Sequence, residues 1–297
     1  STIGGGITEK NFLGKGINLK TNLEVSDEKI KGKFVYSKPN FNYSENTLFT
    51  SLESSNTDRI KDFGYETTNI GFSIGTKFEQ YENLFFSPEI DLAVEDLKTN
   101  SKASSNLKKQ AGNYEDLYFN YGLDYDLRNS PYKPSSGSKL SFYQKLPAIS
   151  SNNEIKNTLV LTKYRKLDKE TNMVGKASIF LSAVNSLDNS DVRISKRVKM
   201  PYNRLRGFEK DKIGPKDGTD YVGGNYVTSI NLSTNLPGVL STMENLDFSY
   251  FIDIGNVWGV DYDSSADQSN FFRSSTGLGM DWLTPIGPLS FSLTQPI

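Results

Sequence analysis

The residues best equipped for chemistry are an arginine and a carboxylate. Arg206 begins the run Arg206-Gly207-Phe208 in a long polar stretch, and Asp253 interrupts the apolar run Phe251-Ile252-Asp253-Ile254-Gly255. A guanidinium fork grips a carboxylate through two parallel hydrogen bonds, which orients as well as attracts. A lysine ammonium has no such fork. This is docking chemistry, and it makes and breaks no covalent bond. Met singly, Arg206 reads most simply as a solvated loop arginine and Asp253 as an ordinary strand carboxylate.

Covalent chemistry has no comparable candidates. The 297 residues contain no histidine and no cysteine, which excludes a thiol nucleophile, a disulfide framework and His or Cys metal sites. Aspartates and glutamates are scattered rather than paired at a spacing that the sequence fixes. No placed nucleophile and base can be found. Gly4-Gly5-Gly6 precedes no helical pattern, so it reads as a flexible strand and not as a phosphate loop. The expectation is a non-enzyme without metal or cofactor. A formal net charge of -1 gives no general pull on nucleic acid.

The elements that must position Arg206 and Asp253 are strands. Alternation dominates the chain, most cleanly from Leu117 to Arg128. There Leu117, Phe119, Tyr121, Leu123, Tyr125 and Leu127 share one face, while Tyr118, Asn120, Gly122, Asp124, Asp126 and Arg128 share the other. Strands are predicted near 1–8, 16–26, 28–38, 47–57, 66–77, 84–97, 115–128, 138–147, 155–166, 174–185, 223–236, 245–257, 272–284 and 288–296. A further stretch near 192–199 either belongs to the long loop or extends the strand before it. Many of these strands reach the length of about 9–11 residues that a tilted strand needs to cross a bilayer. Aromatic residues gather towards the ends of the apolar face, as membrane interfaces favour. Trp258 and Trp282 read as part of such a belt.

Mean hydropathy is -0.51, and no apolar run approaches the ~18 residues of a membrane helix. Barrel strands place only alternate residues in lipid, so a low average does not argue against a membrane barrel. The connections differ in character. Short ones are Asn11-Phe12-Leu13-Gly14, Asn42-Tyr43-Ser44-Glu45, Glu79-Gln80-Tyr81-Glu82, Pro134-Ser135-Ser136-Gly137 and Pro285-Ile286-Gly287-Pro288. Long polar ones lie near 98–113, 186–222 and 258–271, the first reading as an external loop. Ser1-Thr2-Ile3 begins no signal peptide, so the chain is expected to be a mature protein or an internal piece of one.

In this setting the motifs acquire meaning as a series. Asn11-Phe12-Leu13-Gly14-Lys15-Gly16, then Arg206-Gly207-Phe208, Ile213-Gly214-Pro215 and Gly223-Gly224-Asn225, then Phe251 to Trp258, Gly277 to Trp282 and Pro285 to Leu289 follow in order. From about Asn11 to Ile297 this series resembles the Omp85 superfamily. The resemblance implies an all-β fold, a transmembrane antiparallel β-barrel with a long loop folded into its lumen. It starts at the family's second strand and stops at its fifteenth. The two strands that close the barrel, and the soluble periplasmic domains before it, are expected to lie outside the chain.

The resemblance also implies roles for residues. Arg206 at the loop tip would meet Asp253 on the wall. Relatives often carry a second carboxylate on the strand after the loop, where Ser233 stands here, so Arg206 would lean on Asp253 alone or also on Asp281. Gly207 would let the tip turn, and Phe208 would anchor it. Gly214, Pro215, Gly223 and Gly224 would shape the loop exit, and Gly255 belongs to the wall motif. Asp124, Asp126 and Arg128 read as lumen solvation. The implied function is an insertase that folds β-barrel proteins into the bacterial outer membrane. Its partners would be unfolded outer-membrane proteins as clients, accessory lipoproteins, periplasmic chaperones and outer-membrane lipids, with no nucleic acid. A secretion pore of the same superfamily is the alternative, and a passive porin a more distant one.

Overall fold

In the computed structural model, residues 2–168, 170–237, 239, 245–262, 266–267, 271–284 and 287–297 are described. Fourteen long strands form one antiparallel sheet. They are β1 (Thr2–Phe12), β2 (Ile17–Ser26), β3 (Lys29–Lys38), β4 (Thr47–Arg59), β5 (Tyr65–Tyr81), β6 (Leu84–Thr99), β7 (Gly112–Asp126), β8 (Gly137–Ile149), β9 (Glu154–Lys166) and β10 (Val174–Ser186). Two-residue strands β11 (Lys216–Asp217) and β12 (Asp220–Tyr221) lie inside the long loop, and β15 (Ala266–Asp267) pairs with β11. The main sheet continues through β13 (Tyr226–Asn235), β14 (Leu246–Trp258), β16 (Arg273–Thr284) and β17 (Gly287–Pro296). Its order follows the sequence from β1 to β17 with only the short strands skipped. A meander of this kind forms because each long strand pairs with the next one in the chain, mostly across a short connection, with β10 and β13 pairing across the long loop.

The alternation seen in the sequence becomes two unlike faces. On β5 and β6, Ile70, Phe72, Ile74, Ile90, Leu92 and Val94 are exposed, while Ser73 and Glu95, of the opposite parity, are buried. On β13, β14 and β16, Ile230, Leu232, Tyr250 and Leu278 are exposed, while Ser229, Asp253 and Ser275 are buried. Polar residues inside and apolar residues outside invert the order that water imposes on a globular sheet. It is the order expected of strands with a lipid-facing outer surface. No described helix is long and apolar enough to cross a membrane.

The chain divides into two compact units. One comprises Ser1–Leu123, Tyr143–Lys156 and Asn185–Lys196, and the other Asp124–Phe142, Asn157–Val184 and Arg197–Ile297. In the first, the 98–113 connection is not a plain external loop. It contains a short helix, α1 (Ser105–Lys109), capped by Ser104, whose Oγ accepts the Leu107 amide at 3.2 Å. Leu107 and Ala103 are buried, and their burial holds the loop down. The 192–199 stretch is not a strand. Its only pairing among the described residues is a single bridge between Val198 and Gly224. Asp124, Asp126 and Arg128 are more than solvated side chains. Arg128 grips Asp126 with Nε at 2.8 Å and a terminal nitrogen at 2.6 Å, and Asp124 accepts the Ser141 hydroxyl at 2.5 Å. Residues 285 and 286 of the Pro285-Ile286-Gly287-Pro288 turn lie outside the described residues.

Candidate functional site

β14 faces its polar side to the long loop. Asp253 stands there fully buried, at the middle of a strand paired on both sides by β13 and β16. Arg206 reaches it with both arms of its fork: Nε donates to Oδ2 at 2.7 Å and the terminal NH2 nitrogen to Oδ1 at 2.8 Å. The Arg206 backbone amide donates to Oδ2 as well, at 3.2 Å. The carboxylate therefore fixes the backbone of the loop tip and not only a side chain. The Arg206 side chain keeps 27% exposure against 0% for Asp253, so one partner is desolvated and the other reaches a wet space. That space is a cavity of ≈ 850 Å³ lined also by Lys176, Arg204, Asp247 and Asp281.

Two features complete the socket. The guanidinium carbon lies 3.3 Å from the centroid of the Phe251 ring, a cation–π stack on a fully buried aromatic. Asn231, directly opposite Asp253 in the ladder, donates from Nδ2 to Asp253 Oδ1 at 2.8 Å and to the Arg204 carbonyl at 2.7 Å. Asn231 was not singled out in the sequence. The family resemblance put Ser233 forward, but Ser233 pairs with Phe251, two residues further along the ladder. Asn231→Leu removes a donor to a charged acceptor, a loss of about 1.5–3 kcal/mol. Faster trypsin cleavage after Arg206 in the folded protein is the expected readout.

Asp281 does not share Arg206. It is exposed and accepts the Ser290 hydroxyl at 2.5 Å. Of the two partners left open by the sequence, Asp253 holds the fork. Gly207 has φ +87, and a Cβ there would lie 3.0 Å from Thr294 Oγ1, so the tip turns where only glycine fits easily. Phe208 is half-buried beside it. Gly255 leaves room for the loop, because a Cβ would sit 2.7 Å from Met200 Cε. Gly214, Pro215, Gly223 and Gly224 are all buried at the loop exit, where Val198 and Gly224 exchange backbone hydrogen bonds at 2.8 and 2.9 Å.

Phe251 can take its place because its ladder partner is Gly277. A Cβ on Gly277 would lie 2.8 Å from the Phe251 ring and 2.1 Å from the Leu293 carbonyl oxygen. Gly277→Ala is expected to cost about 1–3 kcal/mol through overpacking and to displace the platform under Arg206. A lowered urea midpoint for the membrane-reconstituted protein checks this, and an unchanged midpoint rejects it.

A second anchor of the loop escaped sequence reading. Arg193 is fully buried among Glu95 of β6, Asp116 of β7 and Glu154 of β9. Its terminal nitrogens donate to Glu95 at 3.2 Å and Asp116 at 2.5 Å, and Nε donates to Glu154 at 3.3 Å. The ring of Tyr114 lies 4.2 Å from the guanidinium carbon. The neighbouring Ile194 amide donates to Gln110 Oε1 at 2.9 Å. Burial opposes the Arg193 charge, but the carboxylates of Glu154 and Glu95 and the bond to Asp116 outweigh it and raise its pKa. The available signal was polar-face parity at three carboxylates on three separate strands.

With this geometry in view, comparison with known proteins is decisive at the level of family. The model of the Omp85 superfamily domain matches residues 11–297. The chain belongs to the Omp85 superfamily. BamA of Neorickettsia risticii, an outer membrane protein assembly factor, is 32% identical over 103 residues, covering 32% of this chain and 13% of that protein. A SAM50-like protein of Schizosaccharomyces pombe is 26% identical over 212 residues, 66% of this chain and 43% of that one. The chain thus spans less than half the length of these relatives. Among solved structures, BamA from Haemophilus ducreyi lacking POTRA domains 1–3 superposes with a TM-score of 0.80 at 23% identity, covering all of this chain and 64% of that chain. The fold is accordingly the antiparallel β-barrel of the Omp85 superfamily.

Proposed function

We propose that this chain is the membrane-embedded part of an outer-membrane insertase, which helps unfolded β-barrel proteins fold into the bacterial outer membrane. The observation that carries this reading is the loop tip, held on a buried wall carboxylate by a two-armed arginine inside an Omp85 barrel. A passive porin would need an open lumen, and a loop pinned through side chain and backbone works against one. Sequence likeness to a protein named as an assembly factor favours assembly over translocation.

The work is non-covalent. Pinning the loop holds the strands around Asp253 in a fixed register, so flexibility is concentrated at a weakly closed seam. There a client strand adds to an exposed edge by main-chain hydrogen bonding, a liability that ordinary barrels abolish by closing. Clients would be unfolded outer-membrane proteins, delivered by periplasmic chaperones and assisted by accessory lipoproteins. Depletion of the full-length protein in its own cells tests this. Unfolded barrel proteins should accumulate in the periplasm, and undiminished assembly of every barrel protein would reject the reading.

A further inference from the structure

The outward face of β9, β10, β13 and β14 carries a groove of ≈ 470 Å³. Its floor exists because β10 presents the small residue Ala177 in a row otherwise filled by larger ones, while Leu167 packs over Gly175 and forms one wall. Ala177 pairs with Leu232 and Leu232 with Ile252, while Gly175 pairs with Thr234 and Thr234 with Tyr250. The next outward residues along these strands, Ile179, Leu181 and Ile230, are exposed apolar side chains. The groove is therefore a dent in the surface that meets lipid.

Two cations border the dent. Thr162 and Ser178 touch at 3.1 Å on the polar face, so their neighbours Lys163 and Ala177 point outward. Arg165 follows Lys163 on the same face, about 7 Å further along the strand. Both are exposed, and neither makes an ion pair with a described carboxylate. They stand in the last four residues of β9, at the end of the strands opposite the one where the long loop leaves β10 and enters β13. Cations at this depth reach the headgroup layer, where anionic lipid attracts them. An apolar trough ending in a pair of cations has the layout of a phospholipid: hydrocarbon along one part, phosphate at the other.

We infer that this groove holds one anionic glycerophospholipid of the surrounding bilayer. Its acyl chain lies over Ala177 beside Leu167, Leu232 and Ile252, and its phosphate sits between Lys163 and Arg165. The charge complementarity selects an anionic lipid over an apolar protein partner, which would leave both cations against an uncharged surface. The inference rests on the reading that the apolar face meets lipid. It is independent of the Arg206 pair.

Delipidated full-length protein in mild detergent can be titrated with phosphatidylglycerol, phosphatidylcholine or inorganic phosphate and read by native mass spectrometry. One phosphatidylglycerol should bind about 10- to 30-fold more tightly than phosphatidylcholine, as two surface cations imply. The double variant K163Q/R165Q should abolish that preference, and Ala177→Leu, which fills the floor, should weaken both lipids. Retention that is equal in wild type and both variants overturns the groove, as does inorganic phosphate displacing the lipid at matching concentration. A protein that fails to enter vesicles at all refutes the lipid-facing reading itself, whereas normal insertion with variant-independent lipid retention refutes only the groove.

Discussion

Arg193→Ala should be the most destabilising single substitution in the loop. It removes the guanidinium from among Glu95, Asp116 and Glu154 and leaves three carboxylates facing one another in a buried site. Lys196 stands 3.8 Å from Glu95 and 3.9 Å from Asp116, too far to replace the lost hydrogen bonds. Breaking a buried ion pair from one side costs about 3–5 kcal/mol, because the remaining charge is stranded. The urea midpoint of the reconstituted full-length protein should fall accordingly. Arg193→Lys keeps the charge and loses the fork, so its midpoint should lie between the two. Adding Glu95→Gln and Asp116→Asn to Arg193→Ala should recover part of the loss. A midpoint unchanged by Arg193→Ala would contradict the buried cluster itself, because removing one partner strands the others whatever the net worth of the whole.

The second large effect is expected at Arg206 and falls on activity rather than on folding. Arg206→Ala removes two charge-assisted hydrogen bonds and the stack on Phe251. Because Arg206 is partly exposed, the loss should lie between the sub-kcal value of a solvated pair and that of a buried one, about 1–3 kcal/mol. A change of that size shifts docking of the loop tip about 5- to 150-fold. Client assembly should drop while heat-modifiable gel mobility, the mark of an intact barrel, survives. Asp253→Asn should cause a similar loss. The double variant should be little worse than either single one, since both remove the same interaction. Additive losses would show that the two residues act separately. Loss of gel mobility with Arg206→Ala would make it a folding residue.

How much of this was legible in the sequence depends on range. All fourteen long strands were legible, because period-2 alternation is local and each strand carries its own record of it. Their ends were less so: β5 runs on to Tyr81 and β1 to Phe12, where polar turn residues still sit in the ladder. Asp253 and Arg206 were legible as a pair only through the motif series, since 47 residues separate them. Register decides the rest. Asn231 supports Asp253 because it lies directly across the ladder, and parity cannot separate it from Ser233 on the same face. Arg193 was hidden for the same reason. Each of its three carboxylates is an unremarkable polar-face residue on its own strand, and only the sheet brings them together. Leu107 was hidden by its surroundings, a lone apolar residue in a polar stretch whose burial depends on tertiary packing.

The most direct measurement is the rate at which an unfolded outer-membrane barrel protein folds into vesicles containing the full-length protein, compared with protein-free vesicles of the same lipid. Insertase action requires faster client folding with wild type than without protein, and a smaller acceleration with Arg206→Ala at equal protein content. Client folding at the protein-free rate, together with a steady ion conductance that Arg206→Ala leaves unchanged, would contradict assembly and identify an open pore instead.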